Sequence, residues 1–301
     1  MKILLGIPKF DCWLESINKL KENSTTHEYY IDELSNYKYV NKLIKRHKLD
    51  LVIPLNYKDM NVLSGNPINC DYLAPQNFNI VKSLDDKRKF YKCFTKHKLD
   101  VYLPKIYDKI DKIVYPAIAK PCVGFAGNGI VILHNEKDIL EEHLDNEKYI
   151  ICEYIQGEEE YLANIIAFDG IIMACSIYVE KFYDQYYVKT GIMTEYTEVN
   201  NDEIYFEKFK KIFKLIEYTG AACINFKIIN SELKIFEINP RFGGTLIQNN
   251  KLDALMDEFC MNFVIYKNMA RLYNNTIGRF CKKIDYTHLE NTKIDKSSDT
   301  I

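Results

Sequence analysis

The sequence predicts an α/β protein with a small doubly wound unit at the N-terminus and a larger unit built from strand–turn–strand segments. Two observations support this prediction. Apolar strands alternate with amphipathic helices over residues 1–83, and farther along the chain glycine-rich or acidic turns join apolar strands directly. The 301 residues are enough for two domains, each with its own core.

The N-terminal unit shows the alternation most clearly. The apolar run from Lys2 to Ile7 predicts a buried strand, and apolar residues at helical spacing predict helices from Trp13 to Lys21 and from Leu34 to His47. A further apolar strand ends at Pro54. No G-x-G-x-x-G turn follows the first strand, so a dinucleotide site of the Rossmann type is not expected there. A charged helix is predicted from about Ser83 to His97.

The composition argues against several classes of function. The chain has 40 basic and 42 acidic residues and a net charge of −2, so nucleic acid is not an expected partner. Its nine cysteines include no C-x-x-C pair, which favours buried thiols over disulfides or a zinc site. No apolar run approaches the ~20 residues that span a bilayer. A cytoplasmic protein without a membrane partner is therefore expected.

Residues 115–133 predict a hairpin with a glycine-rich loop. One strand ends in Lys120, a loop containing Gly124, Gly127 and Gly129 follows, and a second strand returns. Glycines permit positive φ and expose backbone N–H groups, which together can surround phosphate oxygens. Lys120 would neutralise their charge. An ordinary hairpin with an exposed lysine is the alternative interpretation.

Residues 149–164 contain the second chemically informative segment. An apolar strand ends at Glu153, the chain turns at Gly157, and a second strand begins with consecutive glutamates. The backbone of such a segment can bind the edge of a purine, and a carboxylate can accept two hydrogen bonds from a ribose diol. A solvated acidic turn is the alternative, and it is preferred for Glu158.

Residues 236–244, with the sequence F-E-I-N-P-R-F-G-G, are the most informative segment of the chain. The period of two along a strand places Glu237 and Asn239 on the same face. Pro240 ends the ladder, and Arg241 adds a cation beside the two oxygen donors. This combination suits a Mg²⁺-bound polyphosphate, although an edge strand with two solvated polar residues would give the same pattern.

The order of these three segments resembles the ATP-grasp superfamily, and in particular its carbamoyl-phosphate-synthase-like carboxylate–amine ligases. The resemblance covers about residues 84–270. It implies an ATP-grasp fold over residues 84–285, with a lid subdomain at about 113–152. A Rossmann-like domain would precede it over residues 1–83, and a polar tail would follow over 286–301.

The resemblance also implies which residues bind the nucleotide phosphates. Lys120 matches the lysine that contacts the α-phosphate, and Lys87 matches a second lysine on the phosphate or adenine side. The loop with Gly124, Gly127 and Gly129 matches the mobile lid over the β- and γ-phosphates.

The adenosine end is implied in the same way. Glu153 and the backbone of Tyr154 and Ile155 match the segment that binds adenine. Glu160 matches the acid that binds the ribose, and Glu159 is the alternative because this chain has one glutamate more than the usual pattern.

At the metal end, Glu237 and Asn239 match the Mg²⁺ ligands, and Arg241 matches the residue that holds the transferred phosphate or the intermediate. The third ligand position, often acidic in the family, is Asn225 in this chain. Lys120 and Arg241 are thus the expected catalytic residues, and ATP with Mg²⁺, or with Mn²⁺ in its place, is the expected cofactor pair.

The implied activity is ATP-dependent ligation of a small carboxylate to an amine or another nucleophile through an acyl phosphate, with release of ADP and phosphate. Two alternatives stay open: a kinase-like phosphotransferase, and a nucleotide-binding module without turnover. The sequence names neither substrate, and it leaves the oligomeric state open, with a homodimer as one option.

Overall fold

The structure is a computed structural model that describes residues 1–124, 127–189, 196–199, 203–248 and 251–277. Its contacts group residues 1–260 as one compact unit and residues 261–301 as a second. In the second unit, the described residues 261–277 are helical. The predicted tail at 286–301 and Cys281 lie outside the described residues.

The strands form three sheets, and the helices lie mainly at the two ends of the chain. The described strands are β1 (Lys2–Leu5), β2 (Glu28–Ile31), β3 (Leu51–Ile53), β4 (Asp71–Tyr72), β5 (Ala117–Pro121), β6 (Val131–Leu133), β7 (Tyr149–Glu153), β8 (Glu159–Phe168), β9 (Ile171–Lys181), β10 (Tyr196–Val199), β11 (Gly220–Ile229) and β12 (Glu232–Asn239). The α-helices are α1 (Asp11–Asn23), α2 (Tyr37–His47), α3 (Tyr57–Leu63), α4 (Asn79–Asp85), α5 (Lys87–Lys96), α6 (Glu203–Leu215), α7 (Thr245–Gln248) and α8 (Leu252–Ile277). Short 3₁₀ helices occur at Asp100–Tyr102, Ile110–Lys112, Glu136–Asp138 and Glu141–Leu144.

The first sheet lies in the N-terminal unit and is parallel throughout, with the strand order β2-β1-β3-β4. Its central strands β1 and β3 are almost fully buried, as their unbroken apolar runs predict. The predicted α/β class and the Rossmann-like pattern of this unit are confirmed. β2, β4 and α3 were not predicted. The domain boundary between residues 83 and 84 stays a prediction.

The predicted helix from Ser83 to His97 is two helices in the structure. Asp86 has an extended backbone between α4 and α5, and its side chain accepts a hydrogen bond from the Lys89 N–H at 3.1 Å. This is an N-cap, which ends one helix and starts the next because it satisfies an otherwise unpaired backbone donor. The break places Lys87 in the first turn of α5, where its N–H donates to the Cys122 carbonyl at 2.8 Å.

The five-stranded antiparallel sheet has the order β10-β9-β8-β11-β12, and a three-stranded antiparallel sheet has the order β6-β5-β7. On β11, Ala222, Ile224 and Phe226 face a core that includes aromatic residues of α5 and α6. The alternate positions Cys223, Asn225 and Lys227 face the other side of the sheet. The large sheet therefore has one apolar face and one polar face.

Among the described residues, no helix is long and apolar enough to cross a membrane. The eight described cysteines are free thiols, and five of them are buried. This agrees with the interpretation of the cysteines as unpaired thiols.

The buried Asp59 of α3 makes stability depend on pH. Its side chain is 3% exposed and accepts from Asn56 Nδ2 at 2.9 Å. Burial raises its pKa from 3.8 to about 6. The folded protein therefore binds more protons than the unfolded chain between these values. The stability that Asp59 contributes is present below pH 3.8 and is lost as the pH rises through 6.

We expect Asp59→Asn to raise the free energy of unfolding, and to raise it more at pH 7.5 than at pH 4.5, because the variant has no carboxylate to ionise in the core. Urea unfolding at both pH values measures this. Asp108→Asn, at an exposed position, is the control and should change neither value. A gain from Asp59→Asn that does not depend on pH would contradict the prediction.

Candidate active site

The polar face of the five-stranded sheet and the inner side of the three-stranded sheet line a cleft of about 260 Å³. Five cationic residues and three glutamates of the described chain line it, and the carboxylate of Glu153 is bound to the Lys105 N–H, so positive charge is in excess in the cleft. These residues are Lys87, Lys120, Lys189, Lys227, Arg241, Glu153, Glu160 and Glu237. Excess positive charge in a cleft with apolar walls favours a polyanionic ligand.

The registers of β8, β11 and β12 bring the predicted metal-binding residues together. Asn225 pairs with Glu237 across the two strands, and Asn239 follows two positions later on the same face. Asn225 Nδ2 donates to Glu237 Oε1 at 3.3 Å, and Asn239 Nδ2 donates to the same oxygen at 2.9 Å. The Lys87 ammonium lies 3.3 Å from Glu237 Oε2.

Glu237 is ionised although its side chain is partly buried. Burial alone would raise its pKa, but the charge of Lys87, the hydrogen bond from Asn239 and the charge of Lys120 together lower it below 4.5. Lys87 is only 7% exposed and the Glu237 side chain is 27% exposed, so the pair is a partly buried salt bridge. The α5 helix, whose start is set by the Asp86 cap, holds this cation opposite β12.

The donor set fits one Mg²⁺ ion. It offers one carboxylate and two amide oxygens on a single sheet face, and Mg²⁺ usually takes one or two carboxylates together with water and substrate phosphate. The amides would rotate to present oxygen instead of nitrogen. Among the described residues, no group of three His, Cys, Asp or Glu side chains is placed to bind a metal ion. A metal ion at this position would therefore need the amide oxygens as ligands.

Lys120 lies at the end of β5, 9% exposed, with its ammonium 4.8 Å from the centre of the Phe236 ring. A cation over an aromatic face is stabilised by the ring quadrupole. Arg241 also lines the cleft, where its guanidinium donates to the Phe242 carbonyl at 3.3 Å. The structure therefore brings both predicted catalytic residues to the same cleft.

The structure separates the two glutamates that are alternatives for the ribose. Glu160 is buried in the cleft, 3.4 Å from the Lys189 ammonium, and accepts from the Tyr187 hydroxyl at 3.3 Å. Glu159 does not line the cleft, and its carboxylate contacts Lys181 at 3.2 Å and the Tyr161 hydroxyl at 2.9 Å.

Lys189 forms ion pairs with two carboxylates. Lys189 lies 2.6 Å from Glu180 Oε2 and 3.4 Å from Glu160 Oε1. Burial raises the pKa of Glu160, and Glu180 adds to this effect, while Lys189 opposes it. A buried carboxylate in this position favours a ligand that donates hydrogen bonds to it.

The turn at residues 154–158 joins the two sheets. Glu153 contributes its backbone here, since its carboxylate accepts from the Lys105 N–H at 3.2 Å. In the described part of the chain, the Tyr154 carbonyl and the Ile155 N–H make no backbone hydrogen bond. One free acceptor and one free donor therefore follow each other along this wall of the cleft.

The aromatic run 182–187 covers this turn. The Tyr154 hydroxyl accepts from the Tyr187 N–H at 2.8 Å and lies 3.0 Å from the Gln185 carbonyl. The rings of Phe182 and Tyr187 stack with centroids 3.5 Å apart. These contacts hold the aromatic run against the turn, where Tyr187 lines the cleft.

Of the predicted lid glycines, Gly124 and Gly127 line the cleft and Gly129 does not. Gly127 has φ +75°, and a Cβ atom there would collide with the Lys189 carbonyl oxygen. The loop thus lies against the segment at Lys189 at a position where only glycine fits. Residues 125 and 126 of the predicted lid lie outside the described residues.

Three cleft residues were missed in the sequence: Tyr187, Lys189 and Lys227. The sequence could have predicted Lys227, because it lies two positions after Asn225 on a strand and therefore on the same face. Lys189 follows the aromatic run but has no local pattern of its own. Its role comes from contacts with Glu160 and Glu180, on two other strands.

A large antiparallel sheet facing a small one, with lysines, carboxylates and a glycine loop between them, defines a two-sheet clamp of the ATP-grasp type. The sequence model described as the ATP-grasp domain matches residues 84–245, which is more than half of the chain. The chain belongs to this family, and the predicted membership of the ATP-grasp superfamily is confirmed.

Solved structures of similar fold include the D-alanine–D-alanine ligase of Bacillus anthracis, with 17% identity, a TM-score of 0.57 and coverage of 89% of this chain and 99% of that one. The L-amino acid ligase of Bacillus licheniformis has 16% identity and a TM-score of 0.53, with coverage of 82% and 68%. The N5-carboxyaminoimidazole synthetase of Staphylococcus aureus, complexed with ADP, has 16% identity and a TM-score of 0.55, with coverage of 81% and 71%. At these identities the likeness establishes the fold. No curated protein matches the sequence.

We expect Gly127→Ala to weaken the contact between the loop and the segment at Lys189. A side chain at positive φ costs about 1–2 kcal/mol, and the collision with the carbonyl adds to it. Backbone amides at 127–133 should then exchange hydrogen roughly tenfold faster, since 1.4 kcal/mol is a factor of about ten.

Gly124→Ala is the matched control, because a Cβ atom there meets only ordinary contacts at 3.6–3.9 Å. It should leave exchange unchanged. Equal exchange in the wild type and in Gly127→Ala would show that the contact does not hold the loop.

Proposed function

We propose that this protein is an ATP-dependent ligase that joins a small carboxylate to an amine or a related nucleophile through an acyl phosphate. The observation that supports it most strongly is the cleft itself. Five cations, an amide–carboxylate set and a glycine loop lie between two sheets. Two relatives of similar fold, the D-alanine–D-alanine ligase and the N5-carboxyaminoimidazole synthetase, were solved with ATP and with ADP, respectively.

The nucleotide would lie with its base against the turn and its phosphates toward β12. The Ile155 N–H and the Tyr154 carbonyl would pair with the ring nitrogen and the amino group of adenine. Glu160 would accept from the two ribose hydroxyls, which donate to a carboxylate more strongly than to a neutral oxygen. Lys120 and the N–H groups of the glycine loop would bind the phosphates.

Glu237, Asn239 and Asn225 would hold Mg²⁺, which supplies charge neutralisation between the phosphates when bound. With a polyphosphate and a metal present, Lys87 would be shared between Glu237 and a phosphate oxygen. Because Asn225 is a neutral amide where the family often has an acid, this metal set has one negative charge fewer. The charge of the phosphates would then be neutralised to a larger extent by Lys87 and Lys120.

The chemistry needs alignment and charge neutralisation more than a side-chain nucleophile. A carboxylate oxygen of the substrate attacks the γ-phosphorus, the bond to the β-phosphate oxygen breaks, and ADP leaves. The amine nitrogen then attacks the acyl carbon, phosphate leaves, and the amine releases a proton. Lys120 and Arg241 would stabilise the negative charge on the transferred group, and the glycine loop would exclude water from the acyl phosphate.

A panel of small carboxylates and amines, incubated with MgATP, tests this proposal. A ligase should release ADP and phosphate in equal amounts and form a condensed product detected by mass. A stable phosphorylated product without free phosphate would favour the phosphotransferase. Binding of MgATP by calorimetry, with no ADP across the panel, would favour the module without turnover.

We expect Glu237→Gln to reduce ADP formation by about three orders of magnitude, because the variant loses the one carboxylate of the metal set, and such losses amount to several kcal/mol of transition-state stabilisation. Glu232→Gln, at an exposed position on the same strand, is the control and should keep full activity. Melting temperature checks folding, since Lys87 loses its ion-pair partner. Normal turnover in Glu237→Gln would contradict the metal assignment.

The neighbouring glutamates give a second test. Glu160→Gln should weaken ATP binding by roughly 10–100-fold, since a hydrogen bond to a charged group contributes about 1.5–3 kcal/mol. It should bind 2′,3′-dideoxy-ATP about as well as the wild type does. Glu159→Gln should leave both affinities unchanged. The opposite pattern, measured by calorimetry, would assign the ribose to Glu159.

A further inference from the structure

Lys227 is a cleft residue for which the proposed ligase chemistry gives no role. It lies on β11, two positions from Asn225, and it is 2% exposed. Its ammonium donates to the Ile155 carbonyl at 3.0 Å and to the Gly157 carbonyl at 2.7 Å. It also lies 4.4 Å from the centre of the Tyr187 ring.

A buried ammonium at this point is costly for stability, since desolvation strongly disfavours a charge that lacks a close ionic partner. Lys227 donates to two neutral carbonyls, and its ammonium lies over the rings of Tyr154 and Tyr187. A methionine of similar length would fill the same volume without the charge. Packing alone therefore does not explain the lysine.

The two carbonyls belong to the turn at residues 154–158, the connection between β7 of the small sheet and β8 of the large sheet. Gly157 has φ +130° and lies between β7 and β8, outside both strands. Without Lys227, the buried Ile155 carbonyl and the partly buried Gly157 carbonyl would both lose this donor. The lysine thus fixes the turn to the large sheet from a residue 72 positions away.

We propose that Lys227 is the positioning residue for nucleobase binding: by holding the carbonyls of Ile155 and Gly157, it fixes the turn so that the Ile155 N–H and the Tyr154 carbonyl point to the base edge. This rests on the proposed binding of ATP in the cleft. It separates the cations by task, with Lys87, Lys120 and Arg241 acting on phosphate and Lys227 acting on the backbone that binds the base.

The test compares two ligands that share phosphates but not a base. Calorimetry measures the affinity of the full chain for MgATP and for magnesium tripolyphosphate. Lys227→Met should weaken MgATP binding by roughly 10–100-fold and leave tripolyphosphate binding unchanged. In steady-state assays, the KM for ATP should rise while kcat changes little.

Two further variants keep the test falsifiable. Lys227→Arg retains a charged donor for both carbonyls and should recover part of the ATP affinity. Lys148→Met, at an exposed lysine with a surface ion pair to Asp145, should change neither affinity. Hydrogen exchange at the amides of residues 154–158 should be faster in Lys227→Met and close to wild type in Lys227→Arg.

Equal loss of both ligands in Lys227→Met, together with a lower melting temperature, would assign the lysine to general stability and overturn the proposal. Wild-type affinity of Lys227→Met for MgATP would also overturn it and leave the proposed function intact. Wild-type protein that binds tripolyphosphate but no MgATP would overturn both.

Discussion

The pairing register of β8, β11 and β12 is the constraint on which the candidate site depends. Asn225 pairs with Glu237 on one side and with Leu162 on the other, so one sheet face collects side chains from three strands. Side chains alternate between faces with a period of two, and a slip of one residue would exchange the two faces of a strand. The aromatic core opposite, around Phe226, penalises that slip, and the core thereby fixes the geometry of the polar face.

The polar face also concentrates charges that are expensive to bury. Close ion pairs join Lys87 to Glu237 and Lys189 to both Glu160 and Glu180. In a low-dielectric cleft these interactions are stronger than in water, and an unpaired group is correspondingly costly. The cleft nevertheless keeps an excess of positive charge. A polyanionic ligand would balance this excess charge.

The sequence predicts those parts of the site whose residues are neighbours along the chain. Glu237, Asn239 and Arg241 fall within five consecutive residues, and the strand period alone places the first two on one face. The choice between Glu159 and Glu160 could not be made in this way, because the sequence alone does not show which face of β8 points into the cleft. Lys189 was missed for a related reason, since its contacts lie on strands far from it in sequence. The helix break at Asp86 depended on one side-chain cap within an otherwise continuous charged segment.

The segment at residues 187–189 links the loop over the cleft to the carboxylates beneath it. The Lys189 ammonium contacts Glu160 and Glu180, while its carbonyl lies where Gly127 approaches most closely. Lys189 therefore contacts both Glu160 and the loop at Gly127. Because Tyr187 stacks under Lys227 and donates to Glu160, the turn between the sheets is part of the same arrangement. A shift of Lys189 would therefore change its ion pair with Glu160 and its approach to Gly127 together, because a single residue makes both contacts.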